Sequence, residues 1–201
     1  SPVVDLWFPV VGASLPADHG YALYGALCDA LPALHGADWW GLHTLRGARD
    51  GAGAIVLPRP ARLGLRLPAE RIPLVLLLGG RSLDVSGHRL LVGAPNVAAL
   101  LPWVALSARV VTIKGFEQPA SFVAALLRQL AALDLTVDVA LGHRKVVRID
   151  GRNVVGFSVR LTALTSAASM VIQESGLGGR RRFGCGVFRR SLEPLREDPA
   201  G

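Results

Sequence analysis

At 201 residues the chain has room for one domain of ordinary size or two small ones packed together, either able to bury a core. Apolar residues make up 51% and charged residues 18%, which excludes an intrinsically disordered chain. Twenty-two Lys and Arg stand against 15 Asp and Glu, a net charge of +7, and only Lys114 and Lys145 of the basic residues are lysines.

Val3–Val11 is an almost uncharged run with β-branched residues, which predicts a buried strand. No basic residue precedes it and Asp5 interrupts it, so it does not read as a signal peptide. Pro16 and Asp18 open a helical segment with Leu23, Leu27, Leu31 and Leu34 at helical spacing, and Pro32 should kink or restart it. Strands are expected over 39–46, 54–57 and 62–67, and a hydrophobic helix over 69–78, closed by Gly79 and Gly80. Ser86-Gly87 reads as a hairpin turn. Residues 90–108 carry no charge and have the length of a membrane span, but Pro95, Asn96 and Pro102 would break a helix there; strand, connection and strand is the expectation.

The order then begins again: strand to Ile113, helix 119–133, strand 135–141, strands 144–149 and 153–161 joined by a type I′ Asp150-Gly151 turn, helix 166–174, a glycine-rich segment and a last strand over 185–188. Both halves fit β-α-β-β-α-β. The expected fold class is therefore α+β, two tandem ferredoxin-like (βαββαβ) units, with domains at 1–101 and 102–201 docked through an apolar seam near Pro102. Cys28 and Cys185 make neither a disulfide framework nor a metal-ligand cluster, so a cytoplasmic protein without metal or cofactor is expected.

Charge is uneven along this order. Residues 1–42 hold no Lys or Arg and four Asp, whereas 143–197 hold eleven Lys and Arg against four acids. A polyanion engaging mainly the second half is one reading, and an arginine-rich solvated surface is the other. Five glycines fall in Gly176-Leu-Gly-Gly-Arg-Arg-Arg-Phe-Gly-Cys-Gly186, namely Gly176, Gly178, Gly179, Gly184 and Gly186. They would let backbone N–H groups approach a ligand, while Arg180, Arg181 and Arg182 supply charge for phosphate. No Gly-Lys-Ser/Thr closes a Walker loop, and no second βα unit follows to make a dinucleotide site. Arg144, Arg148 and Arg152 should form a ladder on one hairpin face, with Lys145 beside them.

A terminal glycine-rich segment of this form on tandem ferredoxin-like units resembles the RAMP superfamily of CRISPR-associated RNA-binding proteins. With it, Leu15-Pro-Ala-Asp-His-Gly-Tyr-Ala-Leu-Tyr-Gly-Ala-Leu27, Leu34-His-Gly36, Gly41-Leu-His-Thr-Leu-Arg-Gly47 and Val111-Thr-Ile-Lys-Gly-Phe116 resemble that superfamily's repeat-cleaving endoribonucleases. The resemblance implies metal-independent cleavage of CRISPR repeat RNA, in which a 2′-hydroxyl attacks the adjacent phosphate to leave a 2′,3′-cyclic phosphate and a 5′-hydroxyl. It also implies Cascade-like effector subunits as partners and no membrane. A non-catalytic RAMP subunit that only holds guide RNA is the alternative, and a membrane-surface protein is a third reading.

Such a reaction needs a base, an acid and cations, and histidine suits proton transfer at neutral pH. His19, at the start of the first helix and exposed by position, and His35, on the helix face of Tyr24 and Cys28, both remain candidates for the base. Tyr24 is a candidate to orient the hydroxyl or donate a proton. His43 reads as a core or edge histidine, and His88 and His143 as surface residues at hairpin turns. Arg46 or Lys114 would stabilise the phosphate. The family often pairs its histidine with a lysine, and residues 1–113 contain none.

Overall fold

The computed structural model describes residues 1–192. The first unit contains β1 (Val3–Val11), β2 (Ser14–Pro16), α1 (Gly20–Ala30), β3 (Gly41–His43), β4 (Ala48–Arg49), β5 (Ala54–Val56), β6 (Ala61–Pro68), α2 (Ile72–Val75), β7 (Ser82–Val85), β8 (His88–Val92) and β9 (Asn96–Ala99). Its main sheet runs β9-β1-β6-β3, the ferredoxin-like 4-1-3-2 order, and the β7-β8 hairpin extends it beside the far end of β1. β2, β5 and β4 make a small side sheet. The second unit contains β10 (Leu106–Val111), α3 (Pro119–Ala132), β11 (Asp138–Ile149), β12 (Arg152–Thr162), α4 (Ser166–Ser175) and β13 (Arg189–Arg190). Its order β13-β10-β12-β11 repeats the pattern.

Alternation along β1 explains the layering. Val4, Leu6, Phe8 and Val10 point to one face, pair across with Leu67, Leu65, Leu63 and Ala61 of β6, and are buried under α1. Asp5, Trp7 and Pro9 point to the other face, where Asp5 through Arg66 and Trp7 through Arg189 meet the second unit. α3 and α4 cover the second sheet with Phe122, Leu126, Leu130 and Ile172 against Phe157, Val159 and Leu161. Thr165 caps α4 by accepting the Ala168 N–H at 3.1 Å. Among the described residues, no helix is long and apolar enough to cross a membrane.

Several local expectations are corrected. The strands at 135–141 and 144–149 are one twelve-residue strand, β11, with an irregularity between Leu141 and Arg144, so His143 lies within a strand and not in a turn. His88 opens β8 with its Nδ1 3.0 Å from Ser14 Oγ. The last strand is Arg189–Arg190, because Gly184 and Gly186 take φ values of +85° and +68° that no ladder accommodates. Asp150 and Gly151 both have positive φ, as a type I′ turn requires, but the turn pairs Ile149 with Arg152 and Arg148 with Asn153. Arg152 therefore stands on the opposite face from Arg148, and the three-arginine ladder does not form, because period two does not carry through a two-residue turn.

The seam between the units is polar at its centre. Arg66 of β6 is 1% exposed and holds Asp5 with Nε to Oδ1 and Nη2 to Oδ2, both at 2.8 Å. Its Nη1 donates to the carbonyls of Gln173 (2.9 Å) and Phe188 (2.6 Å) in the second unit. Near Pro102, Gln173 Nε2 donates to the Leu101 carbonyl and the Trp103 N–H donates to Ser169 Oγ. Side-chain polar groups of α4, more than an apolar seam, hold the connection.

Candidate active site and nucleic-acid interface

The first-helix histidine is buried. His19 is 0% exposed, its Nδ1 donates to the Pro16 carbonyl at 2.8 Å, and its Nε2 accepts the Leu45 N–H at 3.1 Å. Position at a helix start suggested exposure, but β2 and the segment after β3 close over it. Both ring nitrogens serve the fold, and burial pulls the imidazole pKa down against the Pro16 hydrogen bond. His43 is likewise inside: its Nε2 lies 2.9 Å from Asp5 Oδ1 and its ring stacks on Trp7 at 4.8 Å.

His35 is exposed. α1 ends at Ala30, and Pro32 starts a 3₁₀ turn, Pro32–Leu34, whose C-cap is His35. That turn brings the imidazole back to 6.2 Å from the Tyr24 ring centroid. Tyr24 is 8% exposed, stacks on Trp40 at 5.9 Å, and its hydroxyl accepts the Gly36 N–H at 3.1 Å, so it fixes the backbone beside His35. Trp40 belongs to the core, its Nε1 donating to the Leu34 carbonyl. Trp39 is half-buried beneath Arg71.

The glycine-rich segment meets this corner. Phe183 packs edge-on to Tyr24 at 4.8 Å, and the Arg182 guanidinium lies 5.7 Å from the Tyr24 ring and donates to the Ala37 carbonyl at 3.5 Å. The five glycine N–H groups are not offered to a ligand, which corrects the expectation. Gly176 donates to Ile172 O, Gly178 to Gln129 Oε1, Gly179 to Thr112 O, Gly184 to Arg181 O and Gly186 to Val110 O. The glycines serve close packing: a Cβ on Gly178 would stand 2.5 Å from the Thr112 carbonyl oxygen. Arg180 donates to Thr112 Oγ1 at 3.3 Å, and Arg181 is pressed between Gly41 and Gly176.

From this corner the segment continues through Gly184, Val187 and Arg189 into a groove of about 930 Å³ between the units. Its cations are Arg46, Arg109, His143 when protonated, Lys145, Arg160 and Arg189, and no carboxylate lines it among the described residues. Burial first, and then the neighbouring Arg46, pull the Arg189 guanidinium down to about 10. Arg109, Arg160 and Arg189 escaped sequence reading because none belongs to a motif, and alternation alone does not say which strand face is open. Of the sequence candidates, Arg46 and Lys145 line the groove. Arg144, Arg148 and Arg152 are exposed on the hairpin, and Lys114 is exposed after β10. That hairpin rests on α1, the Arg148 N–H donating to Asp18 Oδ2 at 2.6 Å.

The buried histidines give a testable pH dependence. Burial, opposed by the Asp5 hydrogen bond, lowers the His43 pKa to about 4, so the folded protein keeps it neutral. The unfolded chain takes up a proton at about 6.5 and therefore binds more protons than the folded one below that pH. Stability should fall from pH 6.5 to 4, by about 3 kcal/mol from His43 alone. His19 adds to the same loss. Urea unfolding at pH 7 and 4.5 reads this, and His43→Gln should flatten the difference.

Two ferredoxin-like units in tandem, with a glycine-rich segment packed against the first helix of the chain, define a RAMP-type protein. A family model described as "Cas6 Crispr" matches residues 4–191. The chain belongs to the Cas6 family. It is 43% identical over 185 residues to the "CRISPR-associated endonuclease Cas6" of Myxococcus xanthus (strain DK1622), covering 92% of this chain and 80% of that one. The fold is also similar to the solved structure of the product of a Cas6-related gene from Pyrococcus furiosus (TM-score 0.66, 13% identity, 96% of this chain and 100% of that one). Another similar fold is Thermus thermophilus Cse3 bound to an RNA representing a pre-cleavage complex (TM-score 0.54, 16% identity, 94% and 98%).

Proposed function

We propose that this chain cuts CRISPR repeat RNA without a metal ion, His35 removing the 2′ proton. The 2′-oxygen attacks the adjacent phosphorus, the P–O5′ bond breaks, and a 2′,3′-cyclic phosphate and a 5′-hydroxyl are left. Arg182 supplies the cation for charge developing on the phosphate, the role that lysine fills elsewhere in the family. Tyr24 acts as a positioning residue through the Gly36 N–H. The groove cations hold the strand, and membership of the Cas6 family supports repeat RNA as the substrate.

One observation carries the assignment. His35 is exposed beside Tyr24, whose ring the Arg182 guanidinium also approaches, whereas His19 is buried with both ring nitrogens hydrogen-bonded and His43 is buried with its Nε2 on Asp5. A second reading, a non-catalytic subunit that holds guide RNA, is favoured by the lack of lysine in residues 1–113. Incubation of end-labelled repeat RNA with excess protein in EDTA separates them. The proposal expects one cut, a cyclic phosphate sensitive to acid, and no cut in an RNA carrying a 2′-deoxy sugar before the scissile phosphate. Tight binding with no cleavage of the unmodified RNA would favour the second reading.

A further inference from the structure

We propose that a small cavity beside Trp7, at the wall of the basic groove, receives one unpaired nucleobase of the bound RNA; this rests on the groove being the RNA path. The cavity measures about 310 Å³, at the small end of ligand pockets, which run from about 300 Å³ upward. Thr44, Arg46 and Arg189 line both it and the groove, so the two are continuous.

The wall is built for a flat group. Trp7 lies on the β1 face turned away from the helices and stays half-exposed. Gly64 faces it across β6, and a Cβ there would stand 2.8 Å from the indole Cε3, so only glycine lets the ring lie over that strand. His43, the next residue in that row, stacks on the indole with 22° between planes and is itself held by Asp5. The indole is thus set before any ligand arrives, and the rings of Pro58 and Pro60 add apolar surface opposite the charges.

The charges fit one nucleotide's phosphates. Arg46, Arg62 and Arg189 line the cavity, and no carboxylate does among the described residues. The Arg189 guanidinium sits 5.6 Å from the Trp7 centroid, so an entering base meets both an indole and a guanidinium, the two side chains on which bases stack. An anion site alone needs no tryptophan, and a core tryptophan needs no ring of arginines.

The test compares fluorescently labelled single-stranded RNA hexamers with abasic strands of equal length and charge, by anisotropy with the full chain. The base-bearing strand should bind about five- to a hundredfold more tightly, the range for one stacked base. Trp7→Ala should erase that ratio with little change for the abasic strand, and Trp7→Phe should keep most of it. If Trp7→Ala does not fold, Trp7→Leu against Trp7→Phe reads the same contrast. Equal binding of both strands by the unmodified protein, or an equal loss for both in the Trp7 variants, overturns the inference. A chain that stacks a base at Trp7 but never cuts repeat RNA fails only the endoribonuclease reading. One that cuts repeat RNA without distinguishing base from abasic fails only this one.

Discussion

Replacing His35 with alanine is expected to slow repeat RNA cleavage by about 10²–10⁴-fold, the usual contribution of a positioned general base, with RNA affinity nearly unchanged. The imidazole is at the surface and makes no hydrogen bond that the fold depends on among the described residues, so its loss should leave stability within about 0.5 kcal/mol. His19→Ala should behave in the opposite sense. It orphans the buried Leu45 N–H and the Pro16 carbonyl and leaves a cavity, costing about 2–4 kcal/mol, with cleavage per folded molecule retained. Single-turnover rates, RNA binding and urea unfolding on both variants make the comparison.

Asp5→Ala should cost about 3–5 kcal/mol, the loss found when one partner of a buried ion pair is removed. Burial disfavours the Asp5 carboxylate, and hydrogen bonds from His43 and Arg66 outweigh it, holding its pKa far below the usual carboxylate range. It therefore stays ionised at every pH where His43 titrates. Without it the Arg66 guanidinium is buried with no counter-charge, near Arg181 and Arg189, whose own pKa values its charge already lowers. Arg66→Met should cost as much, because Gln173 and Phe188 lose the donor that ties the second unit to the first. Urea unfolding of each variant at pH 7 reads the loss, and a change under about 1 kcal/mol would mean the clasp carries no net stability.

Element order was legible because it depends on local chemistry. An almost uncharged, β-branched run marked β1, helical leucine spacing marked α1, and Asp150-Gly151 and Ser86-Gly87 marked turns whose residues all take positive φ. Both ferredoxin-like units follow from that order. The proximity of His35 to Tyr24 was anticipated on an ideal helix, yet it arises from a 3₁₀ turn after a helix that has already ended. What could not be read is what depends on distant residues meeting. His19 looks exposed until Leu45 closes over it, and the glycines look free until Thr112, Val110 and Gln129 take their N–H groups. Arg182 looks like one of three similar arginines until Phe183 and Tyr24 single it out.

The most direct test of the account is chemical rescue. In His35→Ala, cleavage of labelled repeat RNA in EDTA should be restored by added imidazole, rising with its concentration and falling on the same phosphate that the unmodified protein cuts. His19→Ala should show no such dependence. Cleavage by His35→Ala at the unmodified rate without imidazole would contradict the account.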